Sequence, residues 1–189
     1  MTRAAAIASL ALLIASCGGN DGRHNAVPLP RAYPRITVAD SVFFPVPGAA
    51  MPFEASTAAT VQADSAGRWL TLRYPAYDAE VYVTLSQAPD QDRMGAMLAN
   101  RRERMSLNLN GAPASTTHIT SLDGSFEAVL LEAPGTETPL QFLATDGHLR
   151  MVSGVARLSA ASTAPYDSVR PVVAALRRDI IHALKTLRQ

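Results

Sequence analysis

The chain has 189 residues, 48% hydrophobic and 17% charged, with 17 basic and 16 acidic side chains and one cysteine. That length suits one domain with a real core. The near balance of charge offers no field for nucleic acid, and a lone cysteine excludes an internal disulfide framework.

Met1-Thr2-Arg3 is a short basic start, and Ala4 to Ile14 is an apolar run too short for a bilayer, which takes ~20 residues. Ala15-Ser16 then leads directly into Cys17, a signal-peptide layout. The junction resembles the lipobox of bacterial lipoproteins, whose cysteine is lipidated and becomes the first residue of the mature chain. Residues 1–16 are thus expected to be removed and Cys17 to carry the membrane anchor. A single acyl chain holds only marginally. Bacterial lipoproteins carry two or three, so the resemblance implies firm attachment. Loss of Arg3 would leave 16 basic against 16 acidic residues.

Residues 17–30 read as a flexible tether: Gly18 to Asn25 contains no apolar side chain to repay ordering. Pro28, Pro30 and Pro34 stiffen the end of the tether and the start of the domain. Arg31-Ala32-Tyr33-Pro34-Arg35-Ile36 is a basic and aromatic patch, either a docking segment or a strand laid across the domain. From residue 31 to 189 the pattern is that of one α+β domain. Asp40 to Pro52 is loop-like. Ala55, Thr57, Ala59, Val61 and Ala63 alternate with mostly polar neighbours and predict a strand. A hairpin comes next, with Leu70, Leu72 and Tyr74 on one face of its first strand and Ala79, Val81, Val83 and Leu85 on one face of its second. Pro75-Ala76-Tyr77-Asp78 is the reverse turn between them.

Pro89, Asp90 and Asp92 start a middle helix, and Asn110, Gly111 and Pro113 stop it. Its Met94, Met97, Leu98 and Met105 form a core stripe, while Arg101, Arg102, Glu103 and Arg104 load the remainder, a solvated arginine face partly neutralised by Glu103, with a phosphate or partner contact as the alternative reading. Strands over Thr117–Leu122, Phe126–Glu132, Leu140–Thr145 and His148–Leu158 form two hairpins around Asp123-Gly124 and Asp146-Gly147, a pair that favours type I′ turns. Gly154 reads as a bulge. The last helix is capped by Asp167 or Ser168, has Pro171 in its first turn, and carries Val169, Val173, Leu176, Ile180, Leu184 and Leu187 as one apolar stripe. The expected fold is an antiparallel sheet of five to seven strands packed on this long helix and a shorter middle one.

Residues able to carry chemistry are few. His24, His118, His148 and His182 have no metal-ligand spacing, so no metal and no cofactor is expected. No nucleophile elbow, phosphate loop or dinucleotide fingerprint occurs. Asp179 and His182, three apart on the last helix, make half of a triad in outline. They lie off the apolar stripe and read as a surface pair. No catalytic residue is assigned.

Four blocks, in this order and spacing, resemble the gliding-motility lipoprotein GldD family of Bacteroidota. They are Pro30 to Ile36, Met51-Pro52-Phe53-Glu54, the hairpin from Trp69 to Val83, and Leu176-Arg177-Arg178-Asp179-Ile180-Ile181-His182. The resemblance implies a lipid-anchored envelope protein needed for gliding and for the linked type IX secretion apparatus, with no established enzymatic activity; the domain is expected to face the periplasm rather than the cell surface. Its partners would be other envelope lipoproteins or secretion and motility components, with no nucleic acid. The order of strands and helices also resembles the PsbP/Mog1 arrangement, an analogy of fold alone. Candidate partner contacts are Arg31, Tyr33, Arg35, Tyr74 and Tyr77, since arginine and tyrosine are frequent interface anchors; Tyr82 reads as cross-strand packing on the exposed face. Two other functions fit the composition. One is a small-ligand or glycan-binding module with a pocket between sheet and helix. The other is an envelope hydrolase acting through His182 or an acidic pair.

Overall fold

The computed structural model describes residues 42–159 and 166–189. The signal peptide, Cys17, the tether and the Arg31, Tyr33 and Arg35 contacts expected from the sequence lie outside that range. Within it the elements run β1 (Phe43–Pro45), β2 (Glu54–Ser56), β3 (Thr60–Ala63), β4 (Trp69–Tyr74), β5 (Ala79–Gln87), α1 (Gln91–Leu109), β6 (Ser115–Thr120), β7 (Glu127–Glu132), β8 (Leu140–Thr145), β9 (Arg150–Leu158) and α2 (Tyr166–Thr186). Seven strands form one sheet in the order β3-β4-β5-β9-β8-β7-β6, and β1 and β2 form a separate two-stranded ribbon. Every pairing is antiparallel.

The helices cover opposite faces of the sheet. Alternation turns Leu70, Leu72, Val81, Val83, Phe142, Val152 and Ala156 to one side, where α2 lays its stripe of Val169, Val173, Leu176, Ile180 and Leu184, with Leu187 just beyond its end. All six stripe residues are buried. At about 1.5–3 kcal/mol per fully buried aliphatic, that seam is a main source of stability. The other side is covered in part: Met94 and Met105 of α1 pack with Ala88, Leu143 and Met151, edged by Met97, Leu98, Val129 and Leu131. Strand β8 lies between both helices and is apolar nearly throughout, as a strand covered on two faces must be. Its one polar core residue, Gln141, is satisfied: its amide donates to the Met105 carbonyl (3.3 Å), and its oxygen accepts from the Asn108 amide (3.1 Å).

The start of α1 is set by its cap: the Asp90 carboxylate accepts the Arg93 N–H at 2.7 Å. Asn110, in the left-handed region at φ 47°, ends it. The turn after β4 is a short 3-10 segment, Pro75–Tyr77, closed by Asp78 at φ 47°. That bend lets Tyr74 face Ala79 directly across the hairpin.

Five local expectations need correction. The stretch from Asp40 to Pro52, expected as loop, contains β1, whose three residues pair antiparallel with β2. The alternating run from Ala55 to Ala63 is two strands in different sheets, broken at Thr57-Ala58-Ala59, where the Ser56 Oγ accepts the Ala58 N–H (3.3 Å). The Asp-Gly turns are not type I′, which requires positive φ at both central residues; only Gly124 and Gly147 have it, both at φ 71°. Asp123 and Asp146 instead accept backbone N–H groups two residues on, from Ser125 (3.0 Å) and His148 (2.8 Å). Gly154 is not a bulge, since β9 keeps register with both neighbours through it. A Cβ there would lie 2.2 Å from the Phe142 ring, so the glycine makes room for an aromatic. Pro171 lies inside α2 beyond its first turn, and Asp167 lies within that turn.

Candidate functional site

Three of the four blocks that suggested a family lie within the described residues, and they meet on the α2 side. Tyr74, from the hairpin, is 2% exposed and hydrogen-bonded through its hydroxyl to Asp179, itself 3% exposed. Burial pushes the Tyr74 hydroxyl well above its ordinary pKa, and the Asp179 charge adds to the shift. The Arg178 guanidinium approaches the same carboxylate at 3.4 Å. The Tyr77 ring stacks on Tyr74 with centroids 5.9 Å apart.

One turn further along α2, His182 Nε2 lies 2.7 Å from the Glu54 carboxylate. Phe43 stacks on the same imidazole, with ring centroids 3.5 Å apart and planes 11° from parallel. The Glu54 N–H donates to Thr186 Oγ1 (3.0 Å), whose hydroxyl donates back to the His182 carbonyl (3.0 Å). Arg188 N–H donates to the Pro52 carbonyl (3.0 Å). These contacts fasten the β1–β2 ribbon to the end of α2.

This geometry revises the sequence reading in two places. Asp179 and His182 are not a surface pair: the first is buried against Tyr74, and the second pairs with Glu54 on another element. Tyr74 and Tyr77, expected at a contact surface, are buried at 2% and 7% exposure, so neither ring is available to a partner. The exposed positions of β4 are the alternate ones, Trp69 and Arg73. The void between α2 and the sheet is about 20 Å³, room for one water and not for a sugar or a drug-sized ligand. Among the described residues, no three His, Cys, Asp or Glu side chains gather to hold a metal ion. No helix among them is long and apolar enough to cross a membrane.

The opposite face is different. α1 reaches only alongside β5 and leaves β4 uncovered among the described helices, and the outward residues are Trp69, Thr71 and Arg73 of β4 and Glu80, Tyr82 and Thr84 of β5. Trp69 is 69% exposed and Tyr82 38%. They are diagonal neighbours, since Trp69 faces Thr84 and Thr71 faces Tyr82. The Tyr82 hydroxyl donates to Glu80, which also pairs with Arg73 at 2.8 Å. The Tyr82 bond, and then the Arg73 charge, hold the Glu80 carboxyl below its usual range. Tyr82 itself is pushed up, chiefly by that same bond. Asp64 fixes the entry to β4 by accepting the Arg68 and Trp69 N–H groups (2.6 and 2.9 Å). An exposed tryptophan beside tyrosine and arginine has the composition of an interface anchor. The sequence reading placed Trp69 in its strand but assigned it no role. The signal was present: Trp69 occupies the polar phase of an alternating strand, where burial cannot account for it.

A model of the gliding motility lipoprotein GldD family matches residues 23–189. No curated protein matches the sequence. Among solved structures, cyanobacterial PsbP (CyanoP) from Synechocystis sp. PCC 6803 is similar at 14% identity, over 80% of this chain and 97% of that one, with a TM-score of 0.40.

Proposed function

Because the chain belongs to the gliding-motility lipoprotein GldD family, we propose that it is a lipid-anchored, non-catalytic accessory factor of the gliding machinery and its linked type IX secretion apparatus. Cys17 carries the anchor, the domain faces the periplasm, and the partners are other envelope proteins of that machinery. The observation that carries this reading is where the polar chemistry goes. The polar groups of the blocks that mark the family resemblance are taken up in two structural pairs: Tyr74 with Asp179 beside a void of about 20 Å³, and His182 with Glu54, which joins the ribbon to α2. The exposed surface with anchor composition is the Trp69 and Tyr82 face.

The test is complementation of a strain lacking the protein, scored by colony spreading and by secretion of a type IX cargo. Wild type restores both. Cys17→Ala fails to take up labelled palmitate, washes from membranes without detergent and restores neither. Trp69→Ala with Tyr82→Ala stays folded and membrane-bound but loses partner recovery from detergent extracts. Full complementation by the Cys17 variant would overturn the anchored role, and unchanged partner recovery would remove the face.

A further inference from the structure

Beside the Trp69 and Tyr82 face, a groove runs between α1 and β5. Its wider end, about 450 Å³, lies between Ser86 and Met151 of the sheet and Arg93, Met97 and Arg101 of the helix. Its narrower end, about 120 Å³, continues past Arg101 to Arg104 and Asn108, with Thr84 and Ser153 of the sheet opposite. Arg101 belongs to both ends. No acidic side chain lines either one.

Three features of this groove call for a negatively charged occupant. First, among the described residues Arg93, Arg101 and Arg104 have no carboxylate partner; Arg104 reaches only the neutral Asn100 oxygen at 3.1 Å. Second, Arg101 is half-buried, and both that burial and the adjacent Arg104 charge weigh against its own charge. An anion between the two guanidiniums relieves both effects. Third, Ser153 is 1% exposed, and its hydroxyl, at the wall of the narrow end, has no hydrogen-bond partner among the described residues. A buried hydroxyl without a partner is costly, so an acceptor entering there gains a bond the fold leaves unmade.

Shape decides what kind of anion. Arg93 to Arg104 spans eleven helical steps, about 16 Å, which five residues of extended chain cover at ~3.3 Å each. Met97 and Met151 supply an apolar, adaptable floor between the charges. The chain's own leading segment is a poor match: residues 17–41 carry Arg23, Arg31 and Arg35 against Asp21 and Asp40. We propose that this groove binds an extended acidic segment of a partner protein, Arg93, Arg101 and Arg104 receiving its carboxylates and Ser153 donating to one of them. This deepens the accessory-factor reading and rests on it for the existence of a partner.

The test uses the lipidated full chain in neutral detergent and a fluorescein-labelled Glu-Ala-Glu-Ala-Glu-Ala-Glu peptide, read by anisotropy. Binding should weaken at least tenfold in Arg101→Gln with Arg104→Gln, and be lost for the same peptide with Gln in place of Glu. Arg102→Gln, which removes the same charge from another face of α1, should stay within twofold of wild type. Ser153→Ala should weaken binding several-fold without lowering the unfolding temperature. The charge-reversed Arg101→Glu with Arg104→Glu should instead bind the Lys-Ala counterpart. Equal binding of the Gln peptide, or an unchanged affinity in either the arginine or the serine variant, overturns the proposal. So does dependence on these arginines for phosphatidylglycerol vesicles but not for peptide. Recovery of envelope partners that persists without peptide binding would refute the groove and leave the accessory role standing.

Discussion

Tyr74→Phe is the sharpest probe of how the family's blocks hold together. The substitution keeps the ring, its burial and its stacking on Tyr77, and removes one O–H from a carboxylate that is 3% exposed. A hydrogen bond to a buried charged group contributes about 1.5–3 kcal/mol, so a loss of about 2 kcal/mol is expected. With a urea dependence of about 1–3 kcal/mol per molar, the midpoint should fall by roughly 1 M with unchanged slope. Asp179→Asn keeps an acceptor and relieves the buried charge, so it should cost less. The two together should fall short of their sum by about 1 kcal/mol or more, the signature of a direct pair. Alkaline pH offers a second readout. Burial first and the Asp179 charge second raise the Tyr74 pKa in the folded chain, so the unfolded chain releases that proton sooner. The corresponding stability is complete below the ordinary tyrosine value of about 10 and is lost as pH rises beyond it. In Tyr74→Phe that part of the alkaline loss should vanish. A coupling within about 0.5 kcal/mol of zero, or ionisation of Tyr74 together with the exposed tyrosines in the folded chain, would refute the pairing.

Two further outcomes are expected from the geometry. Gly154→Ala brings a Cβ to 2.2 Å from Phe142 Cζ and 2.5 Å from the Tyr82 carbonyl oxygen. It should cost at least about 1–3 kcal/mol and lower the midpoint of thermal unfolding by several degrees. Phe142→Leu in the same chain should recover only part, because the carbonyl belongs to a paired strand; an unfolding temperature equal to wild type would show that β9 has slack. The Asp123 carboxyl, receiving the Ser121 and Ser125 hydroxyls at 2.7 Å each and the Ser125 N–H, is held down to about 2. Its contribution is therefore present above the ordinary aspartate value near 3.9 and lost as pH falls through about 2. A carbon-detected titration should place its midpoint there and move it upward in Ser121→Ala; a midpoint near 4 would count against the turn geometry.

Elements governed by local chemistry were legible from the residues alone. The α1 boundaries come from Asp90 and Asn110, the β4–β5 register from alternation across a proline turn, and the α2 stripe from steps of three and four. What could not be read was which polar residues would be taken inside. Asp179 lies one position from the apolar Ile180 and is buried because Tyr74, over a hundred residues earlier, supplies its hydrogen bond. No local pattern encodes that partner. The same holds for Glu54 and His182, 128 residues apart. Tyr74 and Tyr77 were assigned to a contact surface on residue type, whereas the phase of the strand places Tyr74 with Leu70 and Leu72 and leaves Trp69 outside. The groove beside α1 was legible only as an arginine run. Its wall comes from β5 and β9, which the sequence separates by the whole of α1 and three strands.

The ribbon of β1 and β2 gives the molecule a defined load path. The ribbon grips α2 through the stack of Phe43 on His182 and the bonds of Glu54 to His182 and Thr186. Those grips act on the far end of α2, and Leu122 N–H to the Lys185 carbonyl (2.8 Å) ties that same end to the loop after β6. A pull on the ribbon is thus shared with the last helix and with the loop after β6.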